Sequence, residues 1–124
     1  MEKFRNLKVW QKAHKLVLET YQVTKNFPTD ERFSLVSQMR RAAISVAANI
    51  AEGSKRPGVR DRQHFHAIAD TSLEELKYYF ILANDLGFIQ QKISDTLFEM
   101  AREVGAMLNS LDSTIRDHES VYGN

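Results

Sequence analysis

The 124-residue sequence contains no cysteine, two prolines and five glycines. None of its apolar runs approaches the roughly 20 residues needed to cross a bilayer. The lack of cysteine excludes a disulfide framework, a thiolate metal site and a cysteine nucleophile, and it fits a reducing compartment. The scarcity of proline and glycine leaves the chain few places to break, and one stretch, SKRPGV from Ser54 to Val59, is rich in breakers. Strand-like alternation, internal repeats and low-complexity segments are missing as well. The N-terminal MEKFRNLKVWQKAHK is charged throughout and has no small-residue cleavage site, so it does not read as a secretory signal. These absences lead to the expectation of a single soluble, cytoplasmic domain without a membrane segment, long enough to bury one core.

Charge is present, but unevenly spread. The net charge of +1 conceals a basic first half (+7 over residues 1–62) and an acidic second half (−6 over residues 63–124). Such segregation marks either an anion-binding face or oppositely charged helix pairs that attract within a bundle or between subunits.

Apolar periodicity predicts four helices, at about 7–26, 30–52, 61–86 and 92–117, joined by short turns as an antiparallel up-down four-helix bundle. In the first helix Trp10, Ala13, Val17, Tyr21 and Thr24 share a face, Asn6 is the candidate N-cap, and Phe27-Pro28 ends the helix. In the second, Leu35, Val36, Met39, Ala42, Ala43, Val46, Ala47 and Ile50 share a face. Phe33, Ile44 and Ala51 widen it to an apolar arc of roughly 240°, more than one core stripe requires. Gly53 is expected to end this helix in the left-handed conformation. Asp61 is the candidate cap of the third helix, whose core side reads Phe65, Ile68, Ala69, Ser72, Leu76, Tyr79, Phe80 and Ala83. The fourth carries one stripe, Leu97, Met100, Ala101, Val104, Leu108, Leu111 and Ile115, before a tail, HESVYGN, expected to fray.

Taken in order, LKVWQKA, FP-x-x-E, QMRRAAISVAANIAEGS and FHAIADTSLEELKYY resemble the four-helix-bundle family encoded by intervening sequences of bacterial large-subunit ribosomal RNA genes. The resemblance covers nearly the whole chain and rests most specifically on RRA-x-x-S-x-x-x-NIAEGS. It implies an up-down bundle assembled as a ring-like homopentamer. It also brings in a relative, the basic pentameric accessory protein of diversity-generating retroelements, which binds reverse transcriptase and nucleic acid. Two positions depart from the family pattern: Thr71 stands where glycine is common, and Lys77 where a second glutamate is common. The near-neutral charge departs from the strongly basic retroelement relative.

Chemistry-bearing residues are few. Arg40 and Arg41 point about 100° apart and therefore serve different purposes. Arg40 projects within the apolar arc and is expected to pair with Glu75 as a partly buried ion pair. Arg41 lies on the polar strip and is grouped with Lys55, Arg56, Arg60 and Arg62 as a nucleic-acid-binding rim, which a ring would repeat around its axis. Asn49, Glu52 and Gly53 read as helix-end and subunit-contact residues, with Arg56 or a base from a neighbouring helix as the candidate partner of Glu52, because a glutamate in the last turn opposes the helix dipole. His64 and His66, two apart, face different directions, unlike the four-residue spacing that aims two imidazoles at one ion. His14 reads as a structural histidine near a core face. Aromatic platforms for single strands are not expected, since the aromatics fall on predicted core faces. No metal site, cofactor or catalytic constellation is expected. Two function classes remain: a homo-oligomeric scaffold or adaptor for a protein partner, and an RNA- or DNA-binding accessory factor.

Overall fold

A computed structural model describes the backbone of residues 2–121 and the side chains of residues 2–113. Among the described residues there are four α-helices: α1 (Lys8–Thr24), α2 (Leu35–Ser54), α3 (Val59–Asp85) and α4 (Gln91–Val121). Short 3-10 turns at Lys3–Asn6 and Thr29–Glu31 precede α1 and α2. No strand occurs among the described residues. Each helix packs against its neighbours in sequence, and α1 closes the bundle against α4. The contacts run in opposite order along each pair, as antiparallel packing requires. Along α2 and α3, Ser45 meets Ser72 and Gly53 meets His66; along α3 and α4, Phe80 meets Ser94, Leu73 meets Gly105 and His66 meets Asp112.

The core stripe of α2 is the predicted one, with Leu35, Val36, Met39, Ala42, Ala43, Val46, Ala47 and Ile50 all buried. Alanine is both the best helix former and the smallest side chain with a Cβ, so this stripe stabilises the helix and lets α3 approach closely. The stripe of α1 differs from expectation. Val9, Ala13, Leu16, Thr20 and Thr24 are buried, whereas Trp10 and Val17 are half-buried and Tyr21 is exposed. The reason lies in the two threonines. Thr20 Oγ1 donates to the Leu16 carbonyl and Thr24 Oγ1 to the Thr20 carbonyl, each at 2.8 Å, so their hydroxyls are satisfied locally and their methyl groups can face the core. In α3, His66 and Leu73 replace the expected Phe65, Ile68 and Tyr79 as buried residues. In α4 the expected Leu97, Ala101, Val104 and Leu108 are buried together with Ser94, while Met100 and Leu111 are half-buried; the Ile115 side chain lies outside the described residues.

The helix ends need several corrections. Gly53 does not end α2 in a left-handed turn: the helix continues through Ser54, and the positive φ among the described residues belongs to Gly87, at 82°. Gly87 N–H donates to the Asn84 carbonyl at 3.0 Å and Phe88 N–H to the Ala83 carbonyl at 2.9 Å. This is the Schellman pattern that closes α3. The α1 N-cap is Leu7 rather than Asn6, and the α3 N-cap is Gly58, with Asp61 in the first turn and no side-chain cap. The fourth helix runs to Val121, beyond the expected end near 117, so its backbone takes in the first part of the tail expected to fray; residues 122–124 lie outside the described residues.

Candidate functional site: the outer face of the second helix

Arg40 sits where α1 meets α2. Its Nε donates to Thr24 Oγ1 at 3.0 Å, and its guanidinium lies 4.4 Å from the centroid of the Tyr21 ring. The expected partner, Glu75, is exposed on α3, and among the described residues no ion pair joins it to Arg40. The pairing fails because the long side chain turns toward α1, where a hydroxyl and an aromatic face meet it together, rather than across to α3. Arg40→Met is expected to cost about 1–2 kcal/mol, because it removes a charge-assisted hydrogen bond and a cation–π contact together worth about 2 kcal/mol or more while the methionine keeps part of the packing. Urea denaturation measures it, and a loss below about 0.5 kcal/mol would place this arginine among ordinary surface residues.

Tyr21, Phe33, Ile44, Arg40 and Arg41 surround a groove of about 450 Å³ between α1 and α2. The apolar members are open to solvent: Phe33 is 89% exposed, Ile44 44% and Tyr21 37%. Ile44 belongs to the surplus arc of α2 and is on the surface, whereas Phe33, expected on the same helix, lies in the turn before it, because α2 starts at Leu35 rather than near residue 30.

A second groove, about 790 Å³, opens toward the far end of α2, where the N-terminal 3-10 turn lies against the α2–α3 connection. Its basic side chains are Lys3, Lys55, Arg56 and Arg62, its carboxylates Glu2 and Glu52, and Phe4, Ala48 and Ala51 form its apolar wall. Arg56 Nη2 binds Glu52 Oε2 at 2.7 Å, the first of the two kinds of partner open to that glutamate, and the Arg56 guanidinium lies 4.9 Å from the Phe65 ring centroid. The Nε atoms of Arg56 and Arg62 are buried without a hydrogen-bond partner among the described residues, as is Nε2 of adjacent Gln63.

Phe4 links this groove to an aromatic ladder along α1. Its ring meets Trp10 edge-on at 4.9 Å, and Trp10 stacks on His14 at 5.0 Å with 5° between planes. His14 is exposed rather than set against the core. The expectation that aromatics would all be taken up by the core is therefore corrected on this face.

The predicted basic rim divides. Lys55, Arg56 and Arg62 share the second groove with Lys3, which the sequence reading did not include. Arg41 lies in the first groove, ~21 Å away along the helix at 1.5 Å per residue. Arg60 is exposed on the first turn of α3 and lines neither groove. Lys3 escaped notice because only the fold brings the N-terminal turn against the end of α2.

Gly53 takes part in the α2–α3 contact within one chain, and Asn49 bonds to Ser45 of its own helix, which in turn meets α3. Asn49 Nδ2 donates to the Ser45 carbonyl at 2.8 Å and to Ser45 Oγ at 3.1 Å, and Ser72 Oγ donates to Ser45 Oγ at 2.7 Å. Glu52 is exposed at the edge of the second groove. His66, only 3% exposed, has its Nδ1 2.6 Å from Asp112 Oδ1. Sequence spacing gave no hint of that pair, since 46 residues separate its members. Among the described residues, no group of three or more His, Asp or Glu could hold a metal ion, and no helix is long and apolar enough to cross a membrane.

The fold and these grooves define an all-helical bundle with two surface grooves along its second helix. The chain belongs to the 23S rRNA-intervening sequence protein family, whose model matches residues 5–110. Among solved structures it is similar to a protein of unknown function from the S23 ribosomal protein family of Bacteroides thetaiotaomicron. That likeness has a TM-score of 0.76 at 20% identity, covering 84% of this chain and 97% of the other. Among curated proteins no match is found. Neither the family nor this neighbour indicates an enzymatic activity.

Proposed function

We propose that the protein is a non-enzymatic, cytoplasmic, homo-oligomeric scaffold or adaptor, with the pentameric ring of the family resemblance as its assembly. The observation that carries this reading is the Phe33–Ile44–Tyr21 surface, an aromatic side chain 89% exposed beside two further open apolar side chains. An apolar patch edged by polar groups is characteristic of an interaction site. Arg32 and Arg41 edge it, and the outer face of α4 offers Met100 with Asp95, Glu99 and Glu103 around it, of which Glu99 is paired with Arg102 and Glu103 with Lys12 within the chain, so that an incoming arginine would share or exchange those exposed pairs. Two different surfaces that fit one another make a head-to-tail contact, and such contacts generate rings when the rotation closes. Charge segregation between the halves of the chain then serves association between copies. Light scattering coupled to size exclusion tests the reading. The wild type is expected to run as an assembly and Phe33→Asp with Ile44→Asp as a folded monomer with unchanged helical circular dichroism; a monomeric wild type at about 100 µM, a concentration at which specific interfaces are saturated, overturns it.

The second groove favours a second reading, an RNA- or DNA-binding accessory factor. Clustered lysine and arginine beside an aromatic ladder is the combination that holds single strands. Binding of this kind tolerates sequence and falls steeply with salt.

A further inference from the structure

The second groove is a donor-rich site. Arg56 and Arg62 both line it, and each has a buried Nε without a hydrogen-bond partner among the described residues. Buried donors are ordinarily satisfied, and each one left without an acceptor is unfavourable. Arg56 also has its Nη2 on Glu52, an exposed carboxylate in the last turn of α2, where negative charge opposes the helix dipole. The two Nε atoms lie beneath the surface, so what the groove offers a ligand is the accessible remainder of each arginine, with the Arg56 side chain 42% exposed and Arg62 half-buried, beside a carboxylate held in an electrostatically unfavourable place. Lys3 and Lys55 add positive charge, and Phe4, Ala48 and Ala51 supply an apolar wall. A ligand that matches needs several acceptor oxygens, negative charge and a flat apolar portion.

We infer that this groove is a phosphate seat for a nucleotide unit, in which Arg56 and Arg62 hold the phosphate and Glu52 acts as the built-in competitor that the phosphate displaces from Arg56. The inference rests on the nucleic-acid reading for its principal ligand, a single strand, and extends to a free nucleoside monophosphate, which carries the same chemistry. Planar guanidinium groups suit phosphate because they donate two parallel hydrogen bonds. The groove volume, about 790 Å³, falls within the range of small-ligand sites. Arg41, in the other groove, contributes only to the general field.

The experiment uses the full chain and a fluorescein-labelled oligouridine dodecamer in anisotropy titrations at about 50 mM salt, where phosphate contacts are strongest. Competition with uridine monophosphate and with inorganic phosphate follows, and circular dichroism checks the fold of each variant. Arg56→Ala and Arg62→Ala are each expected to weaken binding about 10-fold, against about 2-fold for Arg41→Ala, because charge-assisted bonds to phosphate outweigh long-range attraction. Glu52→Gln is expected to tighten binding about 3-fold by removing the competing carboxylate. Uridine monophosphate should compete at lower concentration than inorganic phosphate. If the strand binds but Arg41→Ala costs as much as Arg62→Ala, the seat is overturned while the nucleic-acid reading stands. If the monophosphate binds in an Arg62-dependent way and the strand does not bind, the seat stands as a nucleotide site and the nucleic-acid reading falls. Binding of neither overturns both.

Discussion

Gly53→Leu is expected to destabilise the fold by about 3 kcal/mol, at the upper end of what forcing extra atoms into a packed contact costs. A Cβ at this position would lie 3.2 Å from His66 Cδ2, 3.3 Å from His66 Nε2 and 3.3 Å from Phe65 Cβ. The imidazole cannot retreat freely, because its Nδ1 is held by Asp112. Alanine and leucine should therefore behave differently. Gly53→Ala gains about 0.5 kcal/mol of helix propensity in the last turn of α2, less than in a helix interior, and loses a similar amount as its neighbours shift by a few tenths of an ångström, so little net change is expected. Leucine gains the same propensity and adds branched atoms that the α2–α3 contact has no room for. Urea denaturation of the three proteins measures the difference. A leucine variant as stable as the wild type would mean that the two helices can separate at this point without cost, and the role given to the glycine would be wrong.

That role was only partly legible in the sequence. A glycine after a helical run and before SKRPG reads as a terminator, because local rules place glycine at C-caps. The structure keeps the glycine and changes its purpose: its φ is not positive, and it matters through the approach of another helix. The α2 stripe was fully legible because apolar side chains mark it without interruption. The α1 stripe was not, since Thr20 and Thr24 look polar in sequence and become core residues only through hydrogen bonds to their own helix. Arg40 shows the same limit. Its partial burial could be inferred from the position within the apolar arc, but its partners depend on how the end of α1 lies against the start of α2. The candidate site divides along that line: Lys55, Arg56 and Arg62 follow from composition near one turn, whereas Lys3 and the Phe4–Trp10–His14 ladder require the tertiary arrangement.

The His66–Asp112 pair is the next largest expected effect, and it is a contact the sequence concealed completely. A buried histidine on α3 meets a carboxylate on α4 that is 19% exposed, at 2.6 Å. The two partners are unequal. Asp112 can recover water if His66 is removed, but His66 loses its hydrogen-bond partner inside the core if Asp112 is removed. Asp112→Ala is therefore expected to cost about 2–3 kcal/mol, the range for a hydrogen bond involving a charged group together with the stranded buried partner. His66→Leu is expected to cost less, because an apolar side chain of similar volume suits a site that is almost completely buried. In the double variant the cost of Asp112→Ala should nearly vanish, giving a coupling of about 1.5–2.5 kcal/mol in a double-mutant cycle. Native-state hydrogen exchange supplies an independent readout, with faster exchange expected in Asp112→Ala for α4 amides near Asp112 and unchanged exchange near Leu97 at the other end of the helix. A coupling below about 0.5 kcal/mol would reduce the pair to the standing of an exposed ion pair. In that event the close approach of α2 and α3 at Gly53 would depend on packing alone, and Gly53→Leu should cost the same with or without Asp112.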